Sequence, residues 1–301
     1  MNDPIMSKKN ELCVEIGIDR NILEKRIENY ISLLDDIPSS ISKYHHQSEG
    51  QTKFYQELKK TLDPKKIYLF HKIVLLELIN RFPHRVKKIH VPPSIIEMFK
   101  LEFERIFRLI ENDINFIFDW SNDSFAKDMG ICTFRLVPAG AQLIEISGVS
   151  RKIVFSNFKK ILSNLSFFTF KTAGFKPFYE IHTHSGNLTE FNPEGWSRCY
   201  VRIGELLKLN PNIRGMQGGS WFYDPALSNI SPRLTYLREV PCANGAQVFF
   251  IQDEGKDSSA LSKSEARKQS YTEGKYLPKA YLLVWPRKNL IQFSEENKSL
   301  L

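Results

Sequence analysis

No apolar run in this 301-residue chain approaches the roughly 18–20 residues that a membrane-spanning helix needs, so no membrane span is expected. The start, Met1-Asn2-Asp3-Pro4, lacks the basic-then-apolar pattern of a secretory signal, and a cytoplasmic location is the expectation. Cysteine is scarce and scattered: Cys13, Cys132, Cys199 and Cys242 form no CxxC pair. That spacing argues against a disulfide framework and a thiolate zinc site, and leaves four reduced, mostly buried, non-catalytic thiols. No HExxH, GxxxxGK[ST] or GxGxxG motif is present, and Ser220 has no GxSxG surroundings. Internal repeats and low-complexity segments are also absent.

What is present is the composition of an ordinary globular protein, 42% apolar and 25% charged, long enough for one large domain or two modest ones. The net charge of +8 is unevenly placed. Residues 1–120 hold 19 basic against 18 acidic side chains, whereas residues 121–301 hold 23 against 16. A basic second part can attract an anionic substrate, a phosphorylated cofactor or an acidic carrier protein. Nucleic acid is a poor fit, because the aromatics do not interleave with basic residues as stacking platforms require.

The first 120 residues read as helices. Ile22, Leu23, Ile27, Tyr30, Ile31 and Leu34 recur at three- and four-residue spacing until Pro38-Ser39-Ser40 breaks the pattern. Asp63-Pro64 is a helix-start signal ahead of the apolar run 67–82. With a further helix around 54–62 ahead of that run, a basic connector (Arg81, His84, Arg85, Lys87, Lys88, His90) precedes a fourth helix from Ser94 with Phe99, Phe103, Ile106 and Ile110 on one face. The polar stretch 121–130 reads as a bridge. Beyond it, 131–137, 142–146, 152–155, 167–171, 178–184, 213–223, 247–251 and 280–285 read as strands, with 289–293 continuing the last. Helices are expected over 158–165, 193–209, 232–239 and 264–273. The fold class is therefore α/β (α+β), a mixed central sheet of about six or seven strands with flanking helices. The expected division is a helical region, 1–125, able to act as a lid or cap, and an α/β domain, 126–301.

Candidate chemistry gathers between Phe178 and Pro225. Glu180, His182 and His184 fall on one face of a strand, where they can serve as general base or, with Asp224, hold a metal ion. Arg214 to Ser220 is glycine-rich and basic, so that backbone N–H groups near Gln217, Gly218, Gly219 and Ser220 can polarise a carbonyl or cradle an anion. A β-bulge before Trp221 is the structural alternative. Trp221, Tyr223 and Arg233 are candidates for lining an acceptor pocket.

Ala266-Arg267 through Tyr271, Gly274, Tyr276 and Pro278, followed by a strand, resembles the last helix-to-strand passage of the GNAT superfamily of N-acyltransferases. The resemblance covers 266–278 as sequence and about 130–295 as topology. It implies transfer of an acyl group from a thioester, acyl-CoA or acyl-carrier protein, to an amine, with no permanently bound cofactor. By the same resemblance Tyr271 protonates the departing thiolate, and Glu180 or His182 takes the amine proton. The turn 185–192 departs from the family's [QR]xxGx[GA] pattern. A donor held mainly by its pantetheine arm, such as an acidic acyl-carrier protein, depends less on that turn. Two other readings stand beside this one: a metal-dependent enzyme using His182, His184 and a carboxylate, and a non-catalytic basic binding module.

Overall fold

A computed structural model describes residues 2–35, 43–112, 115–262 and 264–301. The chain forms two compact units, one of Met1–Pro138, Leu143–Glu145 and His184–Gly186, the other of Ala139–Gln142, Ile146–Thr183 and Asn187–Leu301.

The first unit is helical: α1 (Asn2–Glu15), α2 (Arg20–Asp35), α3 (Glu49–Thr61), α4 (Pro64–Asn80), α5 (Pro93–Asn112) and α6 (Asp123–Cys132). Local chemistry sets several starts. Ser48 and Gln51 form a reciprocal capping box at α3, and Asp63 accepts from Lys66 N–H at 3.0 Å to open α4. The middle of α4, from Ile73 to Ile79, is buried throughout, as its apolar run anticipates. The expected break at 38–40 lies outside the described residues. Two expectations fail here. Residues 123–132, read as part of a polar bridge and the start of a strand, form a helix that buries Phe125, Ala126 and Met129. Their spacing marks one helical face, and Asn122 caps it through Ser124 N–H. Of the strand expected over 131–137, only the last residue is extended, in β1 (Val137–Pro138).

The remaining strands are β2 (Gln142–Ser147), β3 (Phe178–Thr183), β4 (Gly215–Ser220), β5 (Gln247–Asp253) and β6 (Lys279–Pro286). The sheet is mixed and six-stranded, in the order β1-β2-β3-β4-β6-β5, as the α/β reading expects. Helix α7 (Pro193–Leu209) links the parallel pair β3 and β4, α8 (Tyr236–Ala243) lies between β4 and β5, α9 (Glu265–Thr272) lies between β5 and β6, and α10 (Arg287–Glu296) follows β6.

In the second unit the two sheet faces are packed differently. Trp285 and Tyr200 meet at 5.1 Å, and Trp285 and Phe293 at 5.3 Å, joining β6, α7 and α10. Gly204 lets α7 approach α10, because a Cβ there would run into Ser294 and the Leu290 carbonyl. The opposite face carries Phe178, Phe249 and Val284 against Val154, Phe167 and Phe168. These last residues sit in helical turns, Arg151–Phe155 and Phe167–Lys171, where strands were expected. Likewise 289–293 is helical, within α10. Short apolar runs do not distinguish a strand from a helix packed on a sheet, and here the face of β3, β5 and β6 decided.

Candidate functional site

Strands β3 and β4 run parallel but pair only at Tyr179 with Met216 and Glu180 with Gln217. Past that point no ladder pair joins them, while β4 remains paired with β6 through Gly218–Leu283, Gly219–Leu282 and Ser220–Tyr281. The carboxyl-terminal halves, 181–183 and 218–220, therefore flank an opening. Backbone groups at such an opening are available to a ligand, and the carboxyl ends of parallel strands are where α/β sheets receive one.

Glu180 occupies the last paired position of β3, half-buried, and its Oε2 accepts from Gln217 Nε2 at 3.4 Å. His182, also half-buried, follows two residues on and projects from the same face of the strand. The two glycines of β4 serve opposite faces. A Cβ on Gly218 would press on the Ile181 side chain and the Tyr223 hydroxyl, so only glycine lets both approach the strand. Gly219, on the Glu180 face, is exposed, and its Cβ would find only Ile251 at 3.7 Å. The bulge considered before Trp221 is not there; the register irregularity in this sheet falls in β5 between Phe250 and Gln252.

Other expected site residues have different occupations. Ser220 Oγ accepts from Phe222 N–H at 3.1 Å and starts the turn Trp221–Tyr223. Trp221 is buried with Leu227 and Ala260, and the Arg267 guanidinium lies 4.6 Å above its ring. It is core rather than pocket wall. Tyr223 is fully buried, and burial raises its phenol pKa, with Cys199 and Cys242 adding to the rise. Arg233 is exposed in the turn Pro232–Leu234. Arg214 points its guanidinium at the Lys176 and Ala173 carbonyls, which removes it as an anion ligand. Tyr271 is half-buried on α9, and among the described residues no hydrogen bond involves its phenol. The structure thus places the Tyr223 hydroxyl, on the face opposite Glu180, against Gly218 of β4.

The suggested metal set is not drawn together. Both Asp224 oxygens are engaged, Oδ1 by Ala226 N–H at 2.9 Å and Oδ2 by Lys279 N–H at 3.3 Å. Burial raises the Asp224 pKa against the pull of those two donors. His184 does not extend the β3 face, because the strand ends at Thr183. Its ring is buried in the first unit, Nδ1 accepts from Gly186 N–H at 2.9 Å, and Nε2 lies 3.5 Å from Asp128 Oδ1. Asp128 is fully buried and paired with Arg105, which also holds Glu102 at 2.7 Å. Burial opposes the Arg105 charge, yet Asp128 and Glu102 outweigh it and raise its pKa. No local sequence pattern signals this cluster. Asp128 fell in a stretch read as a surface bridge, and neither Arg105 nor Glu102 broke the apolar stripe of its helix.

The second unit holds two further buried polar groups. Arg267, buried with no carboxylate partner described, donates to the Ala260 carbonyl and to Ser231 Oγ at 3.1 Å, and burial lowers its pKa. Tyr236, at the start of α8, has a buried hydroxyl without a hydrogen-bond partner among the described residues, and burial pushes its pKa up to about 12. The four cysteines are free; Cys132 and Cys199 are buried, and burial pushes the Cys199 thiol up to about 12. Thiols so raised are poor nucleophiles.

No protein-family model matches the chain, and no curated protein matches it. A solved structure described as an acyltransferase in complex with decanoyl-CoA is similar over 92% of this chain and 82% of that chain, with a TM-score of 0.52 and 13% sequence identity. The likeness is one of fold: a mixed sheet with flanking helices, shared with an acyltransferase. No helix among the described residues is long and apolar enough to cross a membrane.

Proposed function

We propose that this protein transfers an acyl group from a thioester donor to an amine, in the opening between β3 and β4. The observation that carries the reading is the parting of these parallel strands just after Glu180 and Gln217, with Glu180 and His182 on the strand that borders the opening. The shared fold supports it, since the acyltransferase that it resembles binds decanoyl-CoA.

In this scheme the donor's pantetheine arm lies between the two strands and its carbonyl oxygen accepts from backbone N–H groups that the strands no longer exchange. The amine nitrogen attacks the carbonyl carbon, forming the C–N bond. Glu180 or His182 takes the proton that the nitrogen must lose. The C–S bond then breaks, and the thiolate leaves with a proton from a tyrosine. Tyr223 is the first choice, because its hydroxyl lies against Gly218, beside the place where the strands part. Tyr271 is the second, on the strength of its sequence context alone.

The start of α7 bears on how the donor is held. Asn192 already caps Gly195 N–H at 2.9 Å, and Glu190 and Glu194 flank this end, both paired with Arg198 at 2.9 and 2.6 Å. A helix start so occupied, and acidic, suits a diphosphate poorly. We take acyl-CoA as the donor held through pantetheine and acyl chain, with an acyl-carrier protein as the second candidate.

The test is release of free thiol from decanoyl-CoA, shorter acyl-CoAs and an acylated carrier protein on addition of amines, alongside thermal stability with each donor. A productive donor raises the melting temperature, since it binds only the folded state. Glu180→Gln and His182→Asn identify the base by a loss of kcat/KM of about 100-fold for the residue that serves. Tyr223→Phe and Tyr271→Phe are compared for loss of kcat. Neither a thermal shift nor thiol release with any thioester removes the proposal. A shift with divalent metals alone moves the weight to a metal-dependent reaction.

A further inference from the structure

Between Glu145 and Glu180 the chain has no acidic residue in 34 positions, while Arg151, Lys152, Lys159, Lys160, Lys171 and Lys176 supply six positive charges. All six are exposed, and among the described residues none makes an ion pair. In the same segment large apolar side chains stand in solvent: Phe158 is 84% exposed, Leu162 82%, Phe170 80% and Phe155 60%. A contiguous apolar projection of this kind is unusual on a protein surface and marks an interaction site.

The projection is built rather than frayed. The turn Phe158–Lys160, the helix Ile161–Ser166 and the wider turn Phe167–Lys171 follow one another without a break. Phe158, Leu162 and Leu165 are four and three residues apart. Phe170 follows five on, through a turn with i to i+5 bonding, so all four continue one stripe. The other side of the segment is fixed to the sheet. Phe167 and Phe168 are buried with Phe178, Phe249 and Val284, and Phe168 stacks on Phe175 at 4.4 Å. Asn164 Nδ2 donates to the Val154 carbonyl at 3.2 Å, and Thr172 Oγ1 to the Phe168 carbonyl at 3.1 Å, closing the ends.

We infer that residues 151–171 form an interfacial anchor that seats the second unit on an anionic lipid surface, Phe158, Leu162 and Phe170 entering the acyl boundary and the lysines meeting headgroup phosphates. Two features favour a lipid surface over a protein partner. Five of the six cations are lysine, which is depleted at protein interfaces, whereas arginine is enriched there. Lysine instead extends its stem over apolar surface while its ammonium stays in the headgroup layer. The charge is also of one sign throughout, which a uniformly negative leaflet satisfies without any matching pattern. The mode is lying on a membrane, as an amphipathic segment does, not crossing it.

Cosedimentation of the full chain with vesicles tests this, using neutral phosphatidylcholine and the same lipid with 30% phosphatidylglycerol. Expected is binding to the anionic vesicles, weakened about tenfold between 0.1 and 0.5 M NaCl by screening of the lysines. Phe158→Ser with Leu162→Ser, both at exposed positions, and separately Lys159→Glu with Lys160→Glu, each weaken it about thirtyfold with the melting temperature unchanged. The assay needs no thioester or amine, so its outcome is independent of the proposed transfer reaction. No binding to anionic vesicles, binding that both variants retain, or equal binding to neutral vesicles overturns the inference. So does self-association in sedimentation velocity, or complex formation with an acidic carrier protein, abolished by the serine variants in the absence of any vesicle binding.

Discussion

Buried His71 makes the first unit acid-sensitive. Its imidazole is completely buried on α4, in contact with Phe125 at 4.9 Å and Tyr55 at 5.7 Å. Nδ1 faces the Phe118 carbonyl at 2.6 Å and so donates to it, while Nε2 has no hydrogen-bond partner among the described residues. A second proton would have to sit on that nitrogen, without solvent. Burial lowers the pKa from 6.5 to about 4, against the upward pull of the Phe118 carbonyl and Asp119. Between those two values the unfolded chain binds the proton and the folded chain does not. Stability is therefore complete above pH 6.5 and is lost as pH falls toward 4. The loss amounts to about 2 kcal/mol at pH 5 and about 3 kcal/mol below pH 4. Urea denaturation at pH 8, 6.5 and 5, on the native chain and on His71→Gln, measures it. The glutamine variant is less stable at pH 8, but its stability falls about 2 kcal/mol less between pH 8 and pH 5. Parallel losses in both proteins, or an imidazole resonance of His71 that titrates near pH 6.5, would refute the reasoning.

Other expectations follow from close contacts. Gly218→Val forces Ile181 and the Tyr223 hydroxyl away from β4, so it should cost about 1–3 kcal/mol in a thermal melt and abolish thiol release where Gly219→Ala retains it. Gly204→Val drives α7 from Ser294 and Leu290 on α10, with a similar cost and a lower urea midpoint. Arg267→Ala leaves the Ala260 carbonyl and Ser231 without their donor and uncovers Trp221, a loss of about 2 kcal/mol. Arg267→Lys should recover little of it, because an ammonium does not reproduce the planar fork over an indole; Trp221 emission and the melting temperature report both.

Sequence alone determined those parts of the protein whose information is local. Periodic apolar spacing and side-chain caps, Ser48, Asp63, Asn192 and Ser264, set helices α2 to α5, α7 and α9. Alternation and turn residues set β2 to β6, and Gly274, at φ +68°, closes α9 where a helix end was expected. The α/β class followed from that order. Tertiary structure alone decided which short apolar runs became strands. Residues 151–155 and 167–171 have strand-like composition, but the vacant face of β3, β5 and β6 took them as helical turns, and 289–293 joined α10 against α7. The same holds at the candidate site. A period of two put Glu180, His182 and His184 on one face, yet the strand stops at Thr183, and His184 is claimed by Gly186 and Asp128, partners that no local pattern announces. The opening after Glu180 and Gln217 is likewise a property of the register between two strands more than thirty residues apart, and register is set by packing of whole faces rather than by either strand's own sequence.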